Sequence, residues 1–170
     1  RRQRQMCIRD SVYRVKMANI AQMVNVLQSM ILTRDDEMVL TPTYHVFRMY
    51  VPHQGAEVLP LYFKTESVRD RYNEPVDLLT ATASRAEDGT ITLSMANVDL
   101  ERPCRVTVAL DDDRRYDVSG EVLTAENIND HNTFENPDCV HPVDFDGFEA
   151  ARGSITVTVP AKSIVSLTLK

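Results

Sequence analysis

Residues 90–95 read Thr-Ile-Thr-Leu-Ser-Met, so that polar and apolar side chains alternate along them. Because successive side chains of a β-strand point to opposite faces of the sheet, this pattern places Ile91, Leu93 and Met95 on one face. The three hydroxyl side chains share the other face. The stretch therefore predicts a β-strand with one apolar face, which a second layer of structure must cover.

The same alternation recurs in three further runs towards the C-terminus. Their apolar positions are Val106, Val108 and Leu110, then Ile155, Val157 and Val159, and finally Val165, Leu167 and Leu169. Sequences typical of turns separate the runs, at Glu87–Gly89, Asp111–Asp113, Ala151–Gly153 and Pro160–Ser163. Short strands with one polar face each are typical of an antiparallel β-sandwich, and we predict one for residues 58–170.

A polar loop from Thr124 to Asp144 interrupts this pattern, and it contains the passage His131–Pro137. A loop this long inside a compact sandwich is either functional or packed against a neighbouring domain. Its carboxylates and histidine would allow a catalytic site. The commoner alternative is a structural loop whose side chains bond to its own backbone.

Upstream of the sandwich, the sequence predicts a short hairpin followed by a helix. Apolar residues 30–33 and 38–41 flank the polar Arg34–Glu37, which is typical of a hairpin. Thr41 and Pro42 predict the N-cap and first position of a helix, and Pro52 and Gly55 predict its end. The predicted apolar stripe of the helix consists of Val46, Phe47, Tyr50 and Val51.

The run Met17–Gln28 is densely apolar but carries four amides, at Asn19, Gln22, Asn25 and Gln28. These amides either face solvent or form the wall of a polar site, because a buried amide without a partner costs about 1–3 kcal/mol. Residues 15–21 fit a buried strand. A helical spacing competes with it at Ile20, Met23, Val24, Leu27 and Ile31. A strand that ends near Gln22 and passes into a helix or a loop is compatible with both patterns. One strand and one or two helices cannot close a core, so we expect the whole segment of residues 15–57 to pack on a part that the chain does not contain.

Composition excludes several classes of function. The net charge of −6 argues against nucleic acid or an anionic membrane as the main partner. No apolar run approaches the roughly 18–20 residues of a membrane span.

The three cysteines form no CxxC pair, which indicates a reducing compartment, and the four histidines lack the spacing of a zinc site. We therefore expect no metal and no disulfide framework.

The first residues differ from the rest of the chain. Residues 1–11 are basic and show neither helical nor strand periodicity. They could form a basic arm for nucleic acid, but the remaining chain is acidic and offers no basic face. We therefore expect residues 1–13 to be an extension that is not native to the fold.

Four passages, in this order and spacing, resemble the intracellular α-L-arabinofuranosidases of glycoside hydrolase family 51: Val15–Gln28, Leu40–Phe47, His131–Pro137 and Val159–Val165. The resemblance extends from about Arg14 to Lys170 and corresponds to the C-terminal third of such an enzyme. Members of that family have a (β/α)₈ catalytic barrel followed by a β-sandwich of jelly-roll type. The resemblance thus implies a mainly β chain in which residues 14–57 end the barrel and residues 58–170 form the sandwich.

The resemblance also implies an activity, namely exo-acting, retaining hydrolysis of terminal non-reducing α-L-arabinofuranosyl residues in arabinan- or arabinoxylan-type saccharides. Retention needs two carboxyl groups about 5–5.5 Å apart. In the family both belong to Glu residues on earlier barrel strands, upstream of everything present here. Glu37, Glu126 and Glu135 match neither, so we assign no catalytic residue to this chain and expect it to be inactive by itself.

One family residue that binds the sugar matches this chain. Family members place a Gln near the end of the last barrel strand, where its amide hydrogen-bonds arabinose, and the motif matches at Gln22, with Gln28 as the rival position. Barrel sites lie at the C-terminal face of the strands, and an amide can donate to and accept from sugar hydroxyls. The family implies no cofactor, a cytoplasmic location, and a homo-oligomer.

An alternative is a non-catalytic β-sandwich that binds carbohydrate or a partner subunit. The absence of Trp and an aromatic content of 6% argue against sugar binding by the sandwich and leave protein contact open.

Overall fold

The computed structural model describes residues 20–21 and 23–170, and within them strands dominate. Among these residues an α-helix, α1 (Pro42–Tyr50), is followed by a 3₁₀ turn (Val51–His53). The strands are β1 (Ile31–Arg34), β2 (Glu37–Leu40), β3 (Glu57–Leu59), β4 (Ser67–Arg69), β5 (Pro75–Asp77), β6 (Leu79–Arg85), β7 (Ile91–Asn97), β8 (Cys104–Ala109), β9 (Val118–Leu123), β10 (Val143–Asp144), β11 (Phe148–Ala151), β12 (Ser154–Val159) and β13 (Ser163–Leu169). The mainly β class predicted from the sequence is confirmed.

Two antiparallel sheets face each other. The larger has six strands in the order β10-β9-β13-β7-β6-β3, and the smaller has three in the order β11-β12-β8. They enclose one hydrophobic core, in which Leu93, Val157 and Leu167 are almost completely buried. The two short hairpins β1–β2 and β4–β5 form sheets of their own. The alternating apolar positions therefore point inward as predicted.

The centre of the larger sheet is buried on both faces, which the alternating pattern does not predict. Ser94 of β7 and Ser166 of β13 lie on the face away from the core, yet both are buried. His53 covers them: its Nδ1 lies 2.7 Å from Ser84 Oγ and its Nε2 lies 2.9 Å from Ser94 Oγ. Ser94 Oγ in turn lies 3.3 Å from Ser166 Oγ. The polar face of these strands thus binds a histidine instead of water.

The upstream hairpin and helix form where the sequence predicts them. In the hairpin Ile31 pairs with Leu40 and Arg34 with Glu37. The helix begins at Pro42, but the hydroxyl of Thr41 caps no helical N–H and donates instead to the carbonyl oxygen of Ser29, at 2.7 Å. This bond connects the start of α1 to the segment that precedes β1.

The apolar stripe of α1 is rotated relative to the prediction. Met49, which the predicted stripe omits, is 1% exposed, whereas Phe47 and Val51 are 39% and 52% exposed. The reason is that Met49 packs against Leu123 and Val140 of the sandwich, with Val46 and Tyr50 beside it. The helix thus has a partner within the chain, contrary to the expectation that the whole segment packs on a part the chain lacks.

The helical interpretation of residues 20–31 is wrong for the residues that the structure describes. Asn25 and Leu27 have φ angles of 56° and 52°, in the left-handed region that a right-handed helix excludes. The segment forms a loop, and Val24 makes an isolated parallel bridge to Ile31. Most of the predicted strand, residues 15–19, lies outside the described residues.

Gly120 in β9 provides a test of the packing between strands. A Cβ atom there would lie 2.8 Å from Leu167 Cδ2 and 2.9 Å from the carbonyl oxygen of Phe145. We expect Gly120→Ala to lower the free energy of unfolding by about 1–3 kcal/mol, because the backbone near Phe145 must move. Chemical denaturation measures this loss. The exposed neighbour Ser119 supplies the control, and an equal loss in Ser119→Ala would contradict the steric explanation.

His53 predicts how stability depends on pH. Burial lowers the pKa of His53, because it disfavours the charged imidazole. The unfolded chain, with a His pKa of about 6.5, then binds the proton more readily than the folded chain. The contribution of His53 to the free energy of unfolding is therefore complete above about pH 6.5 and is lost as the pH falls below that value.

Melting temperatures measured from pH 7.5 down to 5 should fall less for His53→Gln than for the unmodified chain. Burial also lowers the pKa of His45, which should account for part of the remaining slope. The matched variant His131→Gln changes an exposed histidine and should retain the original slope. Identical slopes for His53→Gln and the unmodified chain would refute the assignment.

Candidate functional site

Gln22, the predicted sugar contact, lies outside the described residues, so the assignment remains a prediction. Its neighbours Ala21 and Met23 are described, and the structure shows how the chain is held immediately after Gln22. The candidate site is therefore defined by the loop that follows, residues 23–30, and by the elements to which this loop is bound.

Backbone hydrogen bonds close this loop at its base. The carbonyl oxygen of Met23 accepts from the N–H groups of Met30 and Ile31, at 3.0 and 3.2 Å. The N–H of Asn25 donates to the carbonyl oxygen of Ile31 at 3.1 Å. The residue directly after Gln22 is thus fixed to the first residue of β1.

The side chain of Asn25 binds the same strand through one residue, Thr33. Its Nδ2 donates to the carbonyl oxygen of Thr33 at 3.1 Å and contacts Thr33 Oγ1 at 2.9 Å. The N–H of Thr33 donates to Asn25 Oδ1 at 2.7 Å. Asn also tolerates the positive φ found here better than most residues. This amide is therefore structural, although it is exposed.

Gln28, the rival to Gln22, lies within the loop, two residues before Met30. Its side chain is exposed and forms no hydrogen bond with any other described residue. The two described amides of this run, Asn25 and Gln28, therefore differ in their contacts, and the sequence pattern does not separate them.

The long sandwich loop, residues 124–142, holds the other strand of the hairpin. Asn132 is 2% exposed, and its Nδ2 donates to the carbonyl oxygens of Leu40 at 2.7 Å and Val140 at 2.9 Å. The N–H of Val140 donates to Asn132 Oδ1 at 2.7 Å. All three bonds satisfy groups that would otherwise be costly to bury. The loop therefore has a structural role, and it packs on the segment upstream of the sandwich.

A second contact joins the tip of the hairpin to the same loop. The guanidinium of Arg34 lies 2.9 Å from Glu37, 3.3 Å from Glu135 and 4.2 Å from the centre of the Phe134 ring. A hydrogen bond from its own backbone and one from Arg34 lower the pKa of Glu135. A general acid needs the opposite shift. Glu126 is exposed in the same loop, and Glu37 and Glu135 are both paired with Arg34.

Within residues 20–21 and 23–170, no group of His, Cys, Asp or Glu side chains is arranged to hold a metal ion. No helix in this part of the chain has the length and apolar character that crossing a membrane requires. The sandwich has an open cleft of about 340 Å³ beside Lys64 and Cys104. Its lining carries Lys64, Arg102 and Arg105 against the carboxylates of Glu66 and Asp99, and Arg102 is paired with both carboxylates.

The sequence alone identified neither Asn25 nor Asn132 as a residue that holds this region. Asn25 was visible only as one of four amides in an apolar run, and Asn132 only as part of the passage His131–Pro137. The available signal was an amide at a position where the surrounding pattern does not require one. Thr33, the partner of Asn25, is 8 residues away from it, and Leu40, the partner of Asn132, is 92 residues away. Only the fold brings these partners together.

Comparison with protein families gives a match to the α-L-arabinofuranosidase C-terminal domain over residues 7–163. The match includes the loop, the hairpin, α1 and nearly all of the sandwich. The match begins at residue 7. The resemblance described in the sequence analysis begins later, at about Arg14.

Among curated proteins, the intracellular exo-α-L-arabinofuranosidase of Bacteroides ovatus is 49% identical to this chain over 157 residues. The match covers 92% of this chain but 30% of that protein. The chain therefore spans about a third of the length of the relative.

Solved structures of glycoside hydrolase family 51 enzymes also match this chain. The GH51 arabinofuranosidase from Xanthomonas axonopodis pv. citri has 42% identity and a TM-score of 0.88, over 96% of this chain and 33% of that one. The thermostable GH51 α-L-arabinofuranosidase from Thermotoga petrophila RKU-1 has a TM-score of 0.80 over 98% of this chain and 36% of that one. At 24% identity, the second match supports the fold alone.

The buried amide of Asn132 provides a test of the loop's structural role. We expect Asn132→Ala to lower the free energy of unfolding by about 2–4 kcal/mol, because it leaves two carbonyls and one N–H without their partner. Urea denaturation of the unmodified and variant chains measures this loss. Asn129→Ala removes an exposed amide from the same loop and should change stability by less than about 0.5 kcal/mol. Comparable losses in both variants would show that the bonds of Asn132 are not the cause.

Proposed function

This chain belongs to the α-L-arabinofuranosidase C-terminal domain family, and we propose that it is the C-terminal part of a retaining, exo-acting α-L-arabinofuranosidase. The whole enzyme would remove terminal non-reducing α-L-arabinofuranosyl residues from arabinan- or arabinoxylan-type saccharides. The observation that carries the proposal is the family match, which extends over residues 7–163. By analogy with the intracellular relative, we place the enzyme in the cytoplasm, and we expect a homo-oligomer.

In this proposal residues 14–57 complete a catalytic barrel and residues 58–170 form the sandwich behind it. The exposed apolar side chains upstream of the sandwich support this division, since large exposed apolar patches mark interfaces. Leu27 is 82% exposed, Met38 is 62% exposed and Met23 is 56% exposed. These side chains would be covered by the preceding part of the barrel, whereas Met49 already packs on the sandwich.

The role of this chain in the reaction would be to orient the substrate. The Gln22 amide can donate to one sugar hydroxyl and accept from another, so it would fix the rotation of the arabinose ring. The nucleophile and the acid/base Glu would come from the upstream part of the barrel, with their carboxyl groups about 5–5.5 Å apart. We therefore assign substrate binding, and no proton transfer, to residues of this chain.

The proposal predicts that the 170-residue chain releases no 4-nitrophenol from 4-nitrophenyl α-L-arabinofuranoside, whereas the same chain joined to its upstream reading frame does. In the joined enzyme, Gln22→Ala should lower kcat/KM about 10- to 100-fold, which corresponds to the loss of one or two hydrogen bonds to the sugar.

Gln28→Ala, measured in parallel, decides between the two candidate amides, and the proposal expects the smaller loss there. Turnover by the 170-residue chain alone, abolished by Gln22→Ala, would contradict the division of the active site between two parts of the enzyme.

A further inference from the structure

Within the described residues, the loop that follows Gln22 is held by hydrogen bonds and not by apolar packing. The side chains that follow Gln22 are exposed: Met23, Val24 and Leu27 are 56%, 40% and 82% accessible. They therefore contribute little packing within this chain. The bonds between Met23 and β1, and between Asn25 and Thr33, are what the described residues offer to hold the loop.

These bonds continue into the sandwich through one pair of residues in the hairpin. Ile31 donates to the Met23 carbonyl, and Ile31 is paired with Leu40 across the hairpin. The carbonyl oxygen of Leu40 accepts from the buried amide of Asn132. A continuous set of backbone and amide bonds thus connects the residue after Gln22 to the long loop of the sandwich.

We propose that Asn25 and Asn132 are positioning residues for sugar binding, which act by holding the Gln22 segment on the sandwich. This inference rests on the proposed function, because it assigns the purpose of the bonds to the sugar contact at Gln22. Neither amide touches the substrate in this scheme. Asn25 fixes the loop on β1, and Asn132 fixes β2 on residues 124–142.

Precise placement is what such residues would supply. A hydrogen bond from Gln22 to a sugar hydroxyl requires donor and acceptor to lie within about 3 Å, and displacements near 1 Å can cost about 100-fold in rate. The Arg34 contacts also join the hairpin to the loop. They are exposed, however, and exposed ion pairs contribute little to stability. Arg34 is therefore the matched comparison, since it lies on the same hairpin but should position Gln22 weakly.

The test uses the enzyme formed by this chain and its upstream part. Asn25→Gly keeps the freedom to adopt a positive φ but removes the side-chain bonds, and we expect a 5- to 20-fold loss of kcat/KM. The pH limbs of kcat should not move, because the titrating Glu residues belong to the upstream part. Asn25→Asp keeps the acceptor for the Thr33 N–H and should recover part of the loss. Arg34→Ala should lose less than twofold.

A double-mutant cycle separates positioning from a general effect on folding. If Asn25 acts through Gln22, then Asn25→Gly should have little further effect in a Gln22→Ala background, since contacting or coupled residues are not additive. Asn132→Ala, assayed well below its melting temperature, should show the same non-additivity. Full additivity, or no loss in Asn25→Gly alone, would overturn the inference.

Failure of the proposed function would look different. An unmodified joined enzyme without arabinofuranosidase activity would refute the activity itself. Activity that Gln22→Ala leaves unchanged would refute the sugar contact, and the positioning role with it. Normal losses in Gln22→Ala together with unchanged Asn25→Gly would refute only the inference. Hydrogen exchange at the Thr33 amide, which should accelerate in Asn25→Gly, checks that the intended bond was broken.

Discussion

The two central strands of the larger sheet, β7 and β13, are buried on both faces, and much of the remaining structure follows from this constraint. Their apolar side chains face the smaller sheet, so their polar side chains need cover and hydrogen-bond partners on the opposite face. His53 supplies the partners for Ser84 and Ser94, and Met49 of α1 packs beside it against Leu123. The helix upstream of the sandwich is therefore part of the layer that the sandwich requires.

The long sandwich loop follows from the same arrangement. Once α1 lies on the larger sheet, the hairpin that precedes it lies beside residues 124–142, and the carbonyl of Leu40 needs a donor. Asn132 supplies that donor and closes its own loop at Val140 with its remaining groups. An amide is suited to this position because it offers two donors and an acceptor without charge. A buried carboxylate would instead face two carbonyl oxygens.

The sequence predicted the fold well where a pattern is local and failed where the partner is distant. The inward positions of the strands, the hairpin at residues 31–40 and the helix start at Pro42 are local signals, and the structure has all three. The predicted apolar stripe of α1 was wrong because Met49 is buried against Leu123 and Val140, which lie more than 70 residues away in the sequence. The helical spacing at residues 20–31, which left a helix or a loop open after Gln22, does not correspond to a helix in the described residues: Met23 and Asn25 bond to β1, and no periodicity reveals such bonds. For the site, the resemblance suggested Gln22, but the amides of Asn25 and Asn132, which bind the two strands of the hairpin, became visible only through their partners.

The contacts also explain why an enzyme of this kind would need its sandwich near the barrel's last strand. In a (β/α)₈ barrel the active site is built from the loops that follow the strands, and the position of each loop depends on the element that supports it. In the proposed enzyme the hairpin and residues 124–142 would support the loop that follows Gln22. Because the Asn132 bonds are buried whereas those of Asn25 are exposed, this support would be strongest at the sandwich and weakest at the loop that follows Gln22. The loop next to Gln22 would then be the part most easily adjusted for different saccharides, while β2 remains fixed to the sandwich.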